Sequence, residues 1–191
     1  MRATHTGEDG CDLICAANDA PALWDALTHA GGRPCGFDVL ETLRIETGVP
    51  RYGVDVSDAN VVLEAGFENE AVSYTKGCYV GQEIIARVHW RGHVAKRIAG
   101  LSVADSAEVP AGAEVRSPDG KKIGRITSAT FSPALKQIVT LAMLKYDYLQ
   151  PGTEALVATD GKELTARVVA LPFVRGSWYA GGVEAGAERS S

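Results

Sequence analysis

No apolar run in this sequence approaches the roughly 20 residues that a membrane-spanning helix requires. Its opening, MRATHTGEDG, lacks the apolar stretch of a secretory signal. A cytoplasmic protein without a membrane partner is therefore expected. The four cysteines, Cys11, Cys15, Cys35 and Cys78, form no CxxC pair, and no His-x-x-x-His partner accompanies them. That spacing argues against a structural zinc site, and in a reducing compartment all four are expected to be thiols. There is no internal repeat and no phosphate-binding glycine loop, because GEDG lacks the lysine and spacing of a P-loop. Positive charge is also scarce. With 19 Lys and Arg against 24 Asp and Glu, the net charge of −5 argues against a general nucleic-acid surface. A single cationic pocket could still hold a small anionic ligand.

What is present is ordinary globular material, with 46% hydrophobic and 23% charged residues over 191 positions. That length suits one large domain or two small ones, with a core that needs no disulfide or metal. Residues 2–6 and 11–16 read as short strands around the turn Gly7-Glu8-Asp9-Gly10. In the second, Cys11, Leu13 and Cys15 share one face, and Asp12, Ile14 and Ala16 the other. Asp19 is placed to cap a helix beginning at Ala20-Pro21, with Leu23, Leu27 and Ala30 on one side and Gly31-Gly32 ending it. A second helix is predicted over 37–46 with Leu40 and Leu43 inward. The stretch 52–74 has no clear period, although Val61-Val62-Leu63 requires burial.

A third helix is predicted from Gly81 to about His89, against a competing strand reading in which Arg87, His89, Arg91 and His93 alternate with Val88 and Trp90. Ile84, Ile85 and Val88 share a side, and Glu83 and Arg87 are spaced for an i,i+4 pair. From Lys96 the texture changes to six short apolar stretches: KRIAGLSVA, AEVRS, KIGRITSAT, KQIVTLAML, EALVA and ELTARVVAL. Turn signals such as Pro151-Gly152 and Asp160-Gly161 separate several of them. These predict a small antiparallel barrel or sandwich, so the fold class is α+β. The expected domains are 1–94 and 95–175, with a disordered tail over 180–191.

The densest chemistry lies at Lys76-Gly77-Cys78-Tyr79-Val80-Gly81-Gln82-Glu83. A thiol beside Lys76 and before a helix N-terminus sits in a positive environment that favours the reactive thiolate. Gly77 and Gly81 permit unusual backbone angles, and Glu83 suits the helix dipole. On residue types alone, Cys78 reads either as such a nucleophile or as a small apolar residue in a tight loop.

This octapeptide resembles the K-G-C-Y-x-G-Q-E signature of the YgfZ family of folate-binding proteins, relatives of the glycine cleavage T-protein (aminomethyltransferase). THTGEDGCD is similar to that superfamily's T-G-E-D-G-[YF]-E tract, and ETLRIETGVPRYGVD to its L-R-x-E-x-G-x-P-x-x-G-x-D segment. IGRITSATFSPALKQIVTLAML and ARVVALPFV resemble its C-terminal barrel.

The resemblance implies a partial T-protein-like folate-binding domain followed by a barrel, apparently lacking the N-terminal part where the transferases carry a catalytic aspartate. It implies tetrahydrofolate or a derivative as cofactor, with Asp12 contacting the pterin. A carboxylate can accept both donors of an aminopyrimidine edge; the other reading of Asp12 is a solvated strand residue. Trp178 falls where the transferases place a ligand-contacting aromatic, or it is a surface tryptophan. Leu40 stands where they have a folate-contacting arginine. Arg87, Arg91 and Lys96 are either contacts for a glutamate tail or a solvated helix face, and His89 and His93 have no identified metal partner.

The function implied is support of iron–sulfur cluster assembly or repair, and indirectly of tRNA modification. Cys78 would be the functional thiol and iron–sulfur ligand to a transient cluster, with Lys76 beside it, and the partners would be cluster-assembly proteins or client enzymes. The alternatives are a folate-dependent aminomethyltransferase and a docking scaffold.

Overall fold

In the computed structural model, residues 4–104 and 108–177 are described. Trp178 and the segment 180–191 lie outside them. Ahead of the barrel come helices α1 (Ala20–His29), α2 (Phe37–Glu46), α3 (Val62–Ala65), α4 (Glu68–Ala71) and α5 (Gln82–Arg91). The barrel strands are β1 (Lys96–Val103), β2 (Glu114–Arg116), β3 (Lys122–Ser132), β4 (Gln137–Lys145), β5 (Glu154–Thr159) and β6 (Lys162–Val169). They close antiparallel in the order β1-β4-β3-β2-β5-β6, so no sheet edge remains. The α+β class and the barrel are as the sequence predicts.

Two cores result. Inside the barrel, alternate residues such as Leu101, Val103, Val115, Ile126, Leu144 and Val157 pack together. Outside it, Ile98, Val139, Leu141 and Met143 meet Ile45 of α2, with Leu171 and Phe173 packed against them. Strand β4 is therefore covered on both faces, which explains its run of buried residues from Val139 to Leu144. Gly100 is required beneath the segment after β6: a Cβ there would lie 2.7 Å from Phe173 Cζ.

The N-terminal expectations need correction. Residues 4–6 and 12–16 form no strand, and of the strand expected at 2–6 the rest falls largely outside the described residues. A strand needs a ladder partner, but Leu13 and Ile14 stand 54% and 88% exposed. Instead this loop serves the other end of the chain. The Ser177 amide donates to Glu8 Oε2 at 2.9 Å, Ser177 Oγ donates to the same oxygen, and the Asp9 amide donates to Ser177 Oγ at 2.9 Å.

The helices begin and end close to where the sequence predicts, but their faces differ. Asp19 occupies the N-cap position of α1 without a side-chain cap bond. Leu27 and Leu40 remain exposed, and α2 buries Arg44, Ile45 and Glu46 instead. Of Val61-Val62-Leu63, Leu63 is buried and Val61 exposed. Neither α1 nor α5 contains a buried residue, and Glu83 makes no ion pair with Arg87.

Candidate functional site

Three constellations emerge from the sequence motifs. In the first, Gly81 takes a left-handed φ of 86° and opens α5, a conformation that glycine adopts without a Cβ penalty. Gln82 folds back so that its Oε1 accepts the Tyr79 amide at 3.3 Å. The Lys76 ammonium lies over the Tyr79 ring, 4.8 Å from its centroid, a cation–π contact. Cys78 is exposed between them, and Gly77, Val80 and Glu83 are exposed as well. An open recess of about 550 Å³ is lined by Tyr79, Gly81, Gln82, Glu83, Ile84 and Ala86. Behind it, Tyr74 stacks on His89 at 4.1 Å, with Trp90 edge-on to both.

The second is the Thr6–Gly10 loop with Asp12. His5 Nε2 lies 3.1 Å from Asp12 Oδ1 and 3.3 Å from Oδ2, donating to the carboxylate. The hydrogen bonds of Glu8 and Asp9 to Ser177 bring the end of the described chain beside this loop. Hydrogen bonding to Ser177, first through its side chain and then its backbone, holds the Glu8 carboxyl below its usual range.

The third was not singled out as a site, although the L-R-x-E…G-x-D segment contains it. Arg44 is 4% exposed and Asp55 1% exposed. Arg44 Nη1 donates to Asp55 Oδ2 at 2.5 Å, while Nη2 donates to Ser128 Oγ at 2.6 Å and to Glu41. Asp55 also accepts the Arg51 amide at 2.9 Å and the hydroxyls of Thr127 (2.5 Å) and Ser128 (2.7 Å). The two hydroxyls reach one carboxylate because β3 shifts register between Ile126 and Ser128, a bulge. Burial opposes the Arg44 charge, but the hydrogen bond it donates to Glu41 and the charge of Asp55 outweigh it and raise the guanidinium's pKa. Two residues further along α2, buried Glu46 accepts a hydrogen bond from Ser132 Oγ at 2.5 Å. The motif's charged residues thus rivet α2 to the barrel.

For a metal, the geometry offers little. Among the described residues no group of three or more His, Cys, Asp or Glu side chains could hold an ion. Cys78 supplies one thiol, so a resident iron–sulfur cluster does not fit these side chains.

A helical N-terminal half fastened by a buried polar network to a closed barrel defines the class of protein. Residues 1–76 match the GCVT N-terminal domain, and residues 96–175 match the glycine cleavage T-protein C-terminal barrel domain. The chain belongs to the glycine cleavage T-protein (aminomethyltransferase) family. It is 36% identical over 178 residues to an aminomethyltransferase of Geobacillus kaustophilus, covering 91% of this chain and 48% of that protein. An aminomethyltransferase of Halalkalibacterium halodurans is 38% identical over the same shares of each chain. The structure of the present chain is similar to the crystal structure of glycine cleavage system aminomethyltransferase T from Bartonella henselae. That match has a TM-score of 0.82 and 26% identity, covering 91% of this chain and 49% of the other. The chain spans about half the length of the curated relatives it matches.

These matches correct the expected placement in the YgfZ family with the N-terminal part missing. Both the N-terminal and the barrel domain are matched, and the relatives are aminomethyltransferases. The octapeptide that carried that expectation lies almost wholly between the two matched stretches, and one exposed loop weighs less than similarity over 178 residues.

Proposed function

We propose that this chain is a tetrahydrofolate-binding module of aminomethyltransferase type, acting on a one-carbon unit carried by the folate. The similarity to aminomethyltransferases over 91% of the chain carries this reading. The Asp12 carboxylate, oriented by His5, supports it. In this reading Asp12 accepts the paired N–H donors of the pterin edge, and the Glu8–Ser177 clasp holds the segment after β6 beside the same loop. Folate supplies the one-carbon acceptor chemistry, and the protein positions the ring. Residues 1–94 form the folate-binding part, and 95–175 brace it through the Arg44–Asp55 network. The test is a titration with tetrahydrofolate, followed by fluorescence or calorimetry. Asp12→Ala removes charge-assisted hydrogen bonds of about 1.5–3 kcal/mol and should weaken binding roughly ten- to a hundredfold. Unchanged affinity in that variant would overturn the assignment.

The exposed thiol of Cys78 favours a second reading, support of iron–sulfur cluster assembly or repair and, through client enzymes, of tRNA modification. The remaining cluster ligands would then come from partner proteins. Cys78→Ser should in that case lower cluster-enzyme activity in cells and leave folate affinity intact. Normal cluster enzymes together with lost one-carbon transfer in Asp12→Ala would leave the first reading alone.

A further inference from the structure

A cavity of about 570 Å³ lies where β1, the loop after α2, the α3–α4 turn and the segment following β6 converge. That is within the roughly 300–1,000 Å³ range of small-molecule pockets. Its apolar wall includes Phe67, Ile98, Leu149, Leu171 and Pro172. The lining contains two arginines, Arg97 and Arg175, and no acidic residue. Arg97 is held from outside the wall by Glu68, at 2.9 Å. Arg175 is exposed at the cavity and has no ion-pair or hydrogen-bond partner among the described residues. In a chain of net charge −5, this is a local concentration of positive charge in a concave, partly apolar setting. None of Asp12, Cys78 or the 76–83 motif lines it.

We propose that this cavity is a second ligand site, taking a small molecule with an apolar or aromatic body and an oxyanion head gripped by Arg175. The planar guanidinium offers a fork of donors that matches a carboxylate or a phosphate, and Arg97, already neutralised by Glu68, contributes less. Gly66, left-handed at φ 82°, leaves open the side of the cavity facing the Arg97 guanidinium, 3.7 Å from where a Cβ would stand. The Asn69 amide adds a neutral donor or acceptor at the rim.

The experiment titrates the full chain with benzoate, phenyl phosphate and benzyl alcohol, followed by amide chemical shifts. Saturable binding of benzoate or phenyl phosphate is expected, with shifts at Gly66, Gly100 and Ala170, and the stronger of the two identifies the head group. Benzyl alcohol should bind at least roughly tenfold more weakly, since it lacks the charge-assisted bonds. Arg175→Gln should remove most of that difference, and Arg175→Lys should restore part of it; Arg97→Gln should change it less. Equal binding of benzyl alcohol, shifts elsewhere, or no saturable binding of any probe would overturn the proposal. Asp12→Ala separates it from the folate reading: benzoate binding should survive that variant. Its loss there, or displacement of benzoate by tetrahydrofolate, would make this cavity part of the folate site and overturn a second site.

Discussion

Asp55 and Thr127, 72 residues apart, meet at 2.5 Å in a seam where Asp55 is 1% exposed. The contact joins the loop after α2 to a bulge in β3, and it fixes the helical half on the barrel. A buried carboxylate is tolerated there because Arg44, the Arg51 amide and two hydroxyls all serve it.

Asp55→Ala should therefore cost up to about 3–5 kcal/mol, since it removes the buried partner of Arg44 and leaves the half-buried Glu41 as its remaining carboxylate. Urea unfolding would measure the loss. Replacing both partners, Arg44→Met with Asp55→Leu, should cost less than Asp55→Ala alone. A double variant as unstable as that single one would show that the seam needs the polar network itself.

Gly100→Ala should destabilise the attachment of the segment after β6. The new methyl would meet Phe173 and Leu171 at 2.7 and 2.8 Å. Overpacking of this kind costs about 1–3 kcal/mol. Thermal unfolding would show a lowered Tm, recovered in part by Phe173→Leu. An unchanged Tm would mean that the segment shifts freely.

The Glu8–Ser177 clasp should depend on pH. Its hydrogen bonds hold the folded-state carboxyl below its usual range. The clasp is at full strength above the unfolded glutamate value of about 4.3 and weakens as pH falls through the lower folded value. Exchange of the Ser177 amide should accelerate in that acid window. Glu8→Gln should abolish this pH dependence, and a profile unchanged by the substitution would remove the clasp as its cause.

Cys78 should react with iodoacetamide ahead of Cys11, Cys15 and Cys35. All four thiols are exposed, so access does not decide the order and local charge does. Lys76→Ala should slow the reaction. Timed mass spectrometry gives the ranking, and Cys78 coming last would refute the electrostatic argument.

The barrel was legible in the sequence because each strand is a short apolar run, alternating as in ELTARVVAL or continuous as in KQIVTLAML, and several turns carry a glycine or proline. KQIVTLAML and ELTARVVAL need no knowledge of their neighbours to read as strands. Helix limits were legible for the same local reason, from Pro21, Gly31 and Gly81. The strand expected at 11–16 shrinks to a single bridge at Cys11, because alternation alone supplies no ladder partner, and Leu13 and Ile14 stand exposed. The family was carried by segments spread along the whole chain, whereas one short exposed loop, 76–83, pointed to a different branch.

By itself, then, the sequence determined the elements whose signals are local: period, cap and turn. Tertiary structure alone decided what Arg44, Glu46 and Asp55 are for. Charged residues on a helix and a loop read as surface, and only their meeting with Thr127, Ser128 and Ser132 makes burial tolerable. It also decided that Glu8 holds Ser177, 169 residues away, and that Arg97 and Arg175 share one cavity. Such pairings depend on chain closure over long separations, which no local pattern encodes.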